Sequence, residues 1–291
     1  MPSLKEVKNR INSVNSTKKI TSAMKMVASA KLHSARKAIE SMRPYESRLN
    51  RIMAGFVSAI EGDIASPYAT ERPVQRIAFV VYSSNSGLCG GFNSNIVREL
   101  KSALDDCRAK GIEVEGIYPV GKKACDAVKK MGYDKAPDLS DLADHPAYTP
   151  AAELAQSLMD KFAAGTIDKA VLIYHHFKSA GTQVLTRETF LPVSLNFEQK
   201  SEDKSGFNAD YIVEPDKATL LVRLVPKALH LKVFTALLDS VASEHAARVV
   251  AMQVATDNAD DLLQELTLQY NKTRQQAITS ELLDIVGGSM Q

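Results

Sequence analysis

Only three cysteines stand in the 291 residues, Cys89, Cys107 and Cys125, and no two of them form C-x-x-C. An odd, scattered set argues against a disulfide framework and against a zinc site, and for a reducing compartment. Glycine and proline are also sparse, at fourteen and eleven, which favours regular elements over loops. A strong net charge is missing too: at +2 the whole molecule has no electrostatic preference for one kind of partner. No apolar run approaches the ~20 residues that span a bilayer. The opening MPSLKEVKNR has neither a signal-type apolar region nor an Arg/Ser-rich transit pattern. The expected location is therefore the cytosol, or the cytosolic face of a membrane.

What is present is enough apolar sequence for one or two packed domains, 45% of residues against 24% charged,. The charge is unevenly placed. Residues 1–50 carry eleven Lys/Arg against three Glu, and a basic segment of this kind suits an acidic surface or simply solvates a long helix.

Periodicity makes that segment a helix. Positions 7, 11, 14, 18, 21, 25, 28, 32, 35, 39, 42, 46, 49, 53, 56 and 60 alternate steps of four and three, and twelve of the sixteen are apolar. That is the pattern of a coiled-coil seam, and at ~1.5 Å per residue it predicts a helix roughly 80 Å long. Pro44 is expected to kink it. The exceptions are Lys18, Thr21, Lys25 and Glu46, three of them clustered about the stretch ITSAMKMVASAK (20–31). Three explanations compete: the stretch reads nucleic acid, it is noise, or it faces something other than its helical partner. A DNA-reading helix normally adds aromatic, Asn or bidentate Arg contacts, and this stretch has none. At the other end, positions 231, 234, 238, 241, 245, 248, 252, 255, 259, 262 and 266 are apolar at nine of eleven places. Beyond Leu266 the spacing meets Gln269, Thr273, Gln276 and Ser280, so the seam is expected to fade, with Gly287-Gly288 stopping the helix near Val286. Pro226 marks a kink or a late start.

Between the two helices the period changes. VQRIAFVVY (74–82), GIEVEGIYPV (111–120), DKAVLIYHHF (168–177) and TQVLTRETFLPV (182–193) read as strands, with helices near 93–108, 122–131 and 150–164. Strands alternating with helices, then a hairpin across SAG, predict a mostly parallel sheet with an antiparallel edge. The fold class expected is α/β: a long antiparallel coiled coil of N- and C-terminal helices with an inserted Rossmann-like α/β domain. The divisions are a first helix over 1–60, an α/β domain over 74–197, a linker and foot over 198–216, and a second helix over 217–291.

Chemistry is thin. SSNSGLCGGFN (83–93) follows the first strand, where Gly-rich turns hold dinucleotides, but its glycines do not fit G-x-G-x-x-G and no acidic residue ends the second strand. GIYPVGKK (116–123) matches G-x-x-x-x-G-K and then offers Lys123 in place of the Ser/Thr that binds magnesium,. The plain alternative for the first is a tight turn with close strand–helix packing, and in the second Ile117, Tyr118 and Val120 read as strand and would not form the cradle. His175 and His176, adjacent on a strand, point to opposite faces and cannot share a metal. No cofactor and no metal are expected, and the readings left open are a non-catalytic coiled-coil part, a nucleotide-binding enzyme and a coiled-coil nucleic-acid binder.

Taken together, ITSAMKMVASAK, SNSGLCGGFN and EHAARVVAMQVATDNADDLLQELTLQYNKTRQQAITSELLDIVGG closely resemble the γ-subunit family of F-type ATP synthases, over essentially the whole chain. The resemblance implies a non-catalytic central rotor shaft that couples proton flow and c-ring rotation to ATP synthesis or hydrolysis at the β subunits. It implies as partners the α, β and ε subunits and the c-ring, with no nucleic acid, and attachment to the membrane through the complex on the cytoplasmic face of a bacterial inner membrane. It places Met24 and Lys25, with Lys18 and Lys31 nearby, against an acidic β-subunit loop. Arg274 and Gln275 match the pair that hydrogen-bonds a β-subunit catch loop. Leu282, Leu283, Ile285 and Val286 match the tip held in an apolar sleeve, and Glu214, in YIVEPD (211–216), matches the foot on the c-ring. The chain departs from the family at Ser84-Asn85-Ser86, where acidic and basic residues are commoner, so the side chains for an ion pair are missing there. Nothing matches the cysteine-bearing regulatory insertion of chloroplast relatives, so thiol control is not expected.

Overall fold

The computed structural model describes residues 3–58, 67–133, 136–193, Glu214 and 216–289. The linker reading at 198–210 lies outside the described residues, as do Ile60 and most of YIVEPD. Ten elements follow in chain order: α1 (Leu4–Ser58), β1 (Arg76–Tyr82), α2 (Phe92–Ala109), β2 (Glu113–Val120), α3 (Lys122–Lys130), α4 (Ser140–Asp144), α5 (Tyr148–Ala163), β3 (Lys169–Ser179), β4 (Thr182–Leu191) and α6 (Lys217–Ser289). By internal packing the chain divides into two units, Lys31–Ala247 and Met1–Ala30 with Arg248–Gln291. The expected fold class is what is found.

The larger unit is built on a four-stranded sheet in the order β2-β1-β3-β4. β1 pairs in parallel with β2 and β3, and β4 returns antiparallel along β3. Both faces of the sheet are covered, which is why β1 reads RIAFVVY with no polar alternation,. On one face Ile77, Phe79, Val81, Val171 and Ile173 pack with Ile96, Leu100 and Leu104 of α2 and Val128 of α3. On the other, Ala78, Val80, Tyr82 and Leu172 join α5 (Leu154, Leu158, Phe162), α1 (Leu32, Ala35, Ile39, Leu49, Met53) and α6 (Leu221, Val225, Leu229, Val233, Leu237, Val241). A helix in the middle of such a core must be apolar nearly all round, and α6 is buried at almost every position from Leu231 to Ala246.

In the smaller unit α1 and α6 run antiparallel. Lys18 ion-pairs Asp260, the Thr21 and Thr256 hydroxyls meet at 2.8 Å, and Lys25 Nζ donates to Gln253 Oε1 at 2.6 Å. Each step along one helix is matched by a step back along the other. The described positions of the α1 spacing, 7 through 53, are all buried or half-buried.

The expected limits of α6 need correction. α6 begins at Lys217, so Pro226 is not its start, and it continues through both glycines to Ser289; Gly lowers helix propensity by only ~1 kcal/mol and does not by itself end a helix. The α6 seam fades beyond Leu266 as expected: Leu266 is its last buried residue, Tyr270, Thr273 and Ala277 are half-buried, and the described side chains after Ala277 are exposed. Within the seam Leu262 is 41% exposed while Leu263 is half-buried, and Thr256, half-buried like Ala255, meets the Thr21 hydroxyl. The short α4 was not foreseen.

Gly121, at the β2–α3 turn, has φ +98, and a Cβ there would sit 2.2 Å from the Ser83 carbonyl oxygen. Gly121→Ala is expected to cost at least ~3 kcal/mol in urea unfolding of the full chain. Gly87→Ala, with nothing within 4 Å of its would-be Cβ, is expected to change stability by less than ~0.5 kcal/mol.

Candidate functional site

The Gly-rich loop comes first, because it is where a nucleotide would bind. Its side chains are committed to its own fold. Ser83 Oγ accepts from Ala124 N at 2.8 Å, Asn85 Oδ1 from Lys122 N at 2.8 Å, and the Ser84 carbonyl from Lys123 N at 3.1 Å. The first three N–H groups of α3, the ones free to cradle a phosphate, are thus satisfied by residues 83–85. Asn93 continues the network: its Oδ1 accepts from Ser84 N at 3.1 Å, and its Nδ2 donates to Ser84 Oγ at 2.7 Å. Asn85 Nδ2 also donates to the Ser140 carbonyl at 2.9 Å and to Asp144 Oδ2 at 2.6 Å, which ties α4 to the loop. Ser84-Asn85-Ser86 therefore holds the loop by hydrogen bonds from uncharged side chains, one of them to the Asp144 carboxylate. GIYPVGKK is strand β2 and the first turn of α3, and strand backbone cannot wrap a phosphate.

The two histidines lie on opposite faces of β3, as their adjacency predicts. His175 is buried and stacks on Phe92 at 4.5 Å between ring centroids; burial lowers its pKa to about 4 and keeps the ring neutral. His176 is half exposed beside Asp239. No group of metal-ligating side chains assembles among the described residues.

What remains is the helical surface. In the smaller unit the structure brings Lys18 and Lys25 together with Thr21 in one polar row, but against α6. These positions do face their helical partner, with Lys18 still partly open to solvent. Gln253 relays the Lys25 contact to Asp257, Nε2 to Oδ1 at 2.7 Å. The row is polar because its partners are polar. Met24 is half-buried beside it. The residues that look outward are Ile20, Met26 and Val27, at 60, 63 and 59% exposure. Sequence reasoning missed them; the available signal was that these large apolar residues lie off the four–three spacing. Farther along α6, Arg274 and Gln275 are exposed, as are Leu282, Leu283, Ile285 and Val286. In the larger unit Lys31 and Glu214 are exposed. Leu282, Leu283, Ile285 and Val286 fall together near the end of α6.

Paired terminal helices, an α/β sheet unit whose glycine turns are internally satisfied, and outward chemistry on helix surfaces define a stalk-type subunit. Comparison with known proteins gives the family. The profile described as ATP synthase matches residues 3–290. The chain is 58% identical to the ATP synthase gamma chain of Phocaeicola vulgatus, with all of both chains covered, and 43% identical to that of Flavobacterium johnsoniae, covering 99% of this chain and 98% of that one. Among solved structures it resembles a central-stalk chain of the Tetrahymena thermophila mitochondrial ATP synthase (TM-score 0.57, 27% identity, 81% of this chain and 99% of that one). It also shares the fold of a chain of the Euglena gracilis enzyme (TM-score 0.65, 22% identity, 99% and 93% covered). The chain belongs to the ATP synthase gamma chain family, the non-catalytic rotor subunit of that complex.

Asn85→Ala removes the α3 cap and the tether to α4 together. It is expected to lower full-chain stability by ~1–2 kcal/mol, read as a shifted midpoint in chemical unfolding with an unchanged slope.

Proposed function

We propose that this chain is the central shaft of a bacterial ATP synthase, turning with the c-ring and biasing the β subunits one after another. The observation that carries the reading is the row of large apolar side chains left in water on α6: Leu282, Leu283, Ile285 and Val286, at 53–68% exposure. Apolar residues grouped in this way mark a surface that a partner covers, and an α/β subunit sleeve is the partner that the family implies. Arg274 and Gln275, exposed a turn or two earlier, then hydrogen-bond a β-subunit loop. Met24, Lys25, Lys18 and Lys31 form the contact with the acidic β loop, beside the apolar Ile20, Met26 and Val27. Because Lys18 and Lys25 are already paired with Asp260 and Gln253, such a loop competes for them and does not find them free. An exposed ion pair such as Lys18–Asp260 is worth only ~0–1 kcal/mol, so the exchange at Lys18 is cheap. Coupling requires these contacts to differ among β conformations, since equal affinity for all of them shifts nothing.

The division of labour that fits is a helix over 1–60, an α/β body over 74–197, a foot including Glu214 over 198–216 that meets the c-ring and ε, and a second helix over 217–291. No helix among the described residues is long and apolar enough to cross a membrane. Attachment to the cytoplasmic face of the inner membrane is therefore through the complex.

Gentle purification is expected to recover the chain with α, β and ε subunits as an ATP-hydrolysing assembly, and purification without them would overturn the reading. Within that assembly Arg274→Ala is expected to reduce ATP turnover about tenfold, since a charged hydrogen bond of ~1.5 kcal/mol is at stake, with the chain's melting temperature unchanged. Unaltered turnover would remove the catch-loop role alone.

A further inference from the structure

Side-chain contacts at three levels join α1 to α6 in the smaller unit, and both lysines among them are turned onto the chain's own acceptors. Lys18 pairs with Asp260, with 36% of the one side chain and 42% of the other still open to water. Lys25 Nζ donates to Gln253 Oε1 at 2.6 Å, and Gln253 Nε2 donates to Asp257 Oδ1 at 2.7 Å. The neighbours set the orientation of that amide, since an ammonium only donates and a carboxylate only accepts. Gln253 is therefore an uncharged spacer that carries the pull of Asp257 to Lys25. Between the lysines, the Thr21 and Thr256 hydroxyls meet at 2.8 Å. Each also reaches a carbonyl of its own helix, that of Lys18 at 3.0 Å and that of Met252 at 2.8 Å. One hydroxyl donates across and the other to its own helix, in either order. The threonine pair thus joins the helices without using the lysine heads.

Building on the acidic β-subunit loop proposed above, we infer that Asp260 and the Gln253–Asp257 pair form a charge mask. They hold the two lysine heads on the shaft, and an acidic partner segment takes each one only in exchange for its internal acceptor. A free ammonium would hold a carboxylate-bearing loop wherever it met one. A lysine already occupied offers only the difference between two similar contacts. A shaft that must leave each β subunit in turn needs a contact that is weak and replaceable.

Both internal acceptors are of the kind that yields. One belongs to an ion pair open to water, and the other is an amide and not a carboxylate. The threonine pair keeps α1 and α6 joined at this level while a lysine is turned away. Removing an internal acceptor leaves its lysine free, strengthens the loop contact and deepens the state in which the loop is engaged, so departure from that state slows. Salt screens such an exposed contact, and the strength of an exposed ion pair bounds the effect at about fivefold.

ATP turnover of the purified assembly, measured from about 20 mM to about 300 mM salt, tests the mask. Gln253→Met keeps the side chain's length, changes no charge and removes the acceptor of Lys25. Asp260→Asn removes the carboxylate that pairs with Lys18. Each is expected to lower turnover about two- to fivefold at the low-salt end and to match the parent at the high-salt end. Where the lysine is already gone, Gln253→Met on Lys25→Gln and Asp260→Asn on Lys18→Gln are expected to add nothing. A Gln253→Met assembly as fast as the parent or faster overturns the mask. So does an Asp260→Asn effect of the same size without Lys18, which is long-range charge alone. If Lys18→Gln and Lys25→Gln themselves match the parent at every salt concentration, the acidic-loop reading falls and the mask with it. If they differ from the parent while Gln253→Met does not, the mask alone falls.

Discussion

A helix of seventy-three residues persists in water only if one side of it is taken out of water. Nucleation is costly and propagation adds little per residue, so packing, and not propensity, holds a helix of the length of α6. The apolar stripes of α1 and α6 meet that demand, and the other features of the chain are fitted around it. In the larger unit α6 is enclosed by the sheet, α5 and α1, which lets Leu231, Val233, Leu237 and Ala242 be apolar on successive sides. In the smaller unit α1 is the neighbour among the described residues, so the buried side narrows to a seam and the remaining faces are exposed, charged or not.

This difference explains what the sequence made legible. The α1 spacing from Val7 to Met53 and the core strands β1 and β3 carry patterns dictated by burial, and burial is what hydrophobic periodicity records. That the spacing did not single out Thr256 has the same origin. Periodicity identifies a buried residue by its being apolar, and a threonine buried against a threonine breaks that rule without breaking the seam. The loop 83–91 was legible as a turn and as an unsuitable nucleotide site, but its network was not. That Asn85 reaches both Lys122 N and Ser140 O depends on three segments converging, and no local spacing announces it.

The candidate site divides along similar lines. Lys18, Thr21 and Lys25 stood out as departures from the seam, yet they are satisfied within the chain. Ile20, Met26 and Val27 did not stand out, because an apolar residue off the seam of a basic helix looks like ordinary variation. An unusual residue in a repeating pattern marks a place where something is different; only the fold says whether the difference is internal or is turned toward a partner. The residue-level assignments for Arg274, Gln275 and the α6 tip come from the family resemblance, and exposure is the physical property that makes them available for such contacts.

The burial of Cys89, Cys107 and Cys125 has a practical side. A thiol inside a core is shielded from alkylating reagents, so the folded chain presents a chemically silent surface to maleimides and nitroxide labels. Single cysteines introduced on the exposed face of either long helix would then be the reactive positions, and probes could be attached one at a time to a moving part without first stripping out the protein's own sulfur.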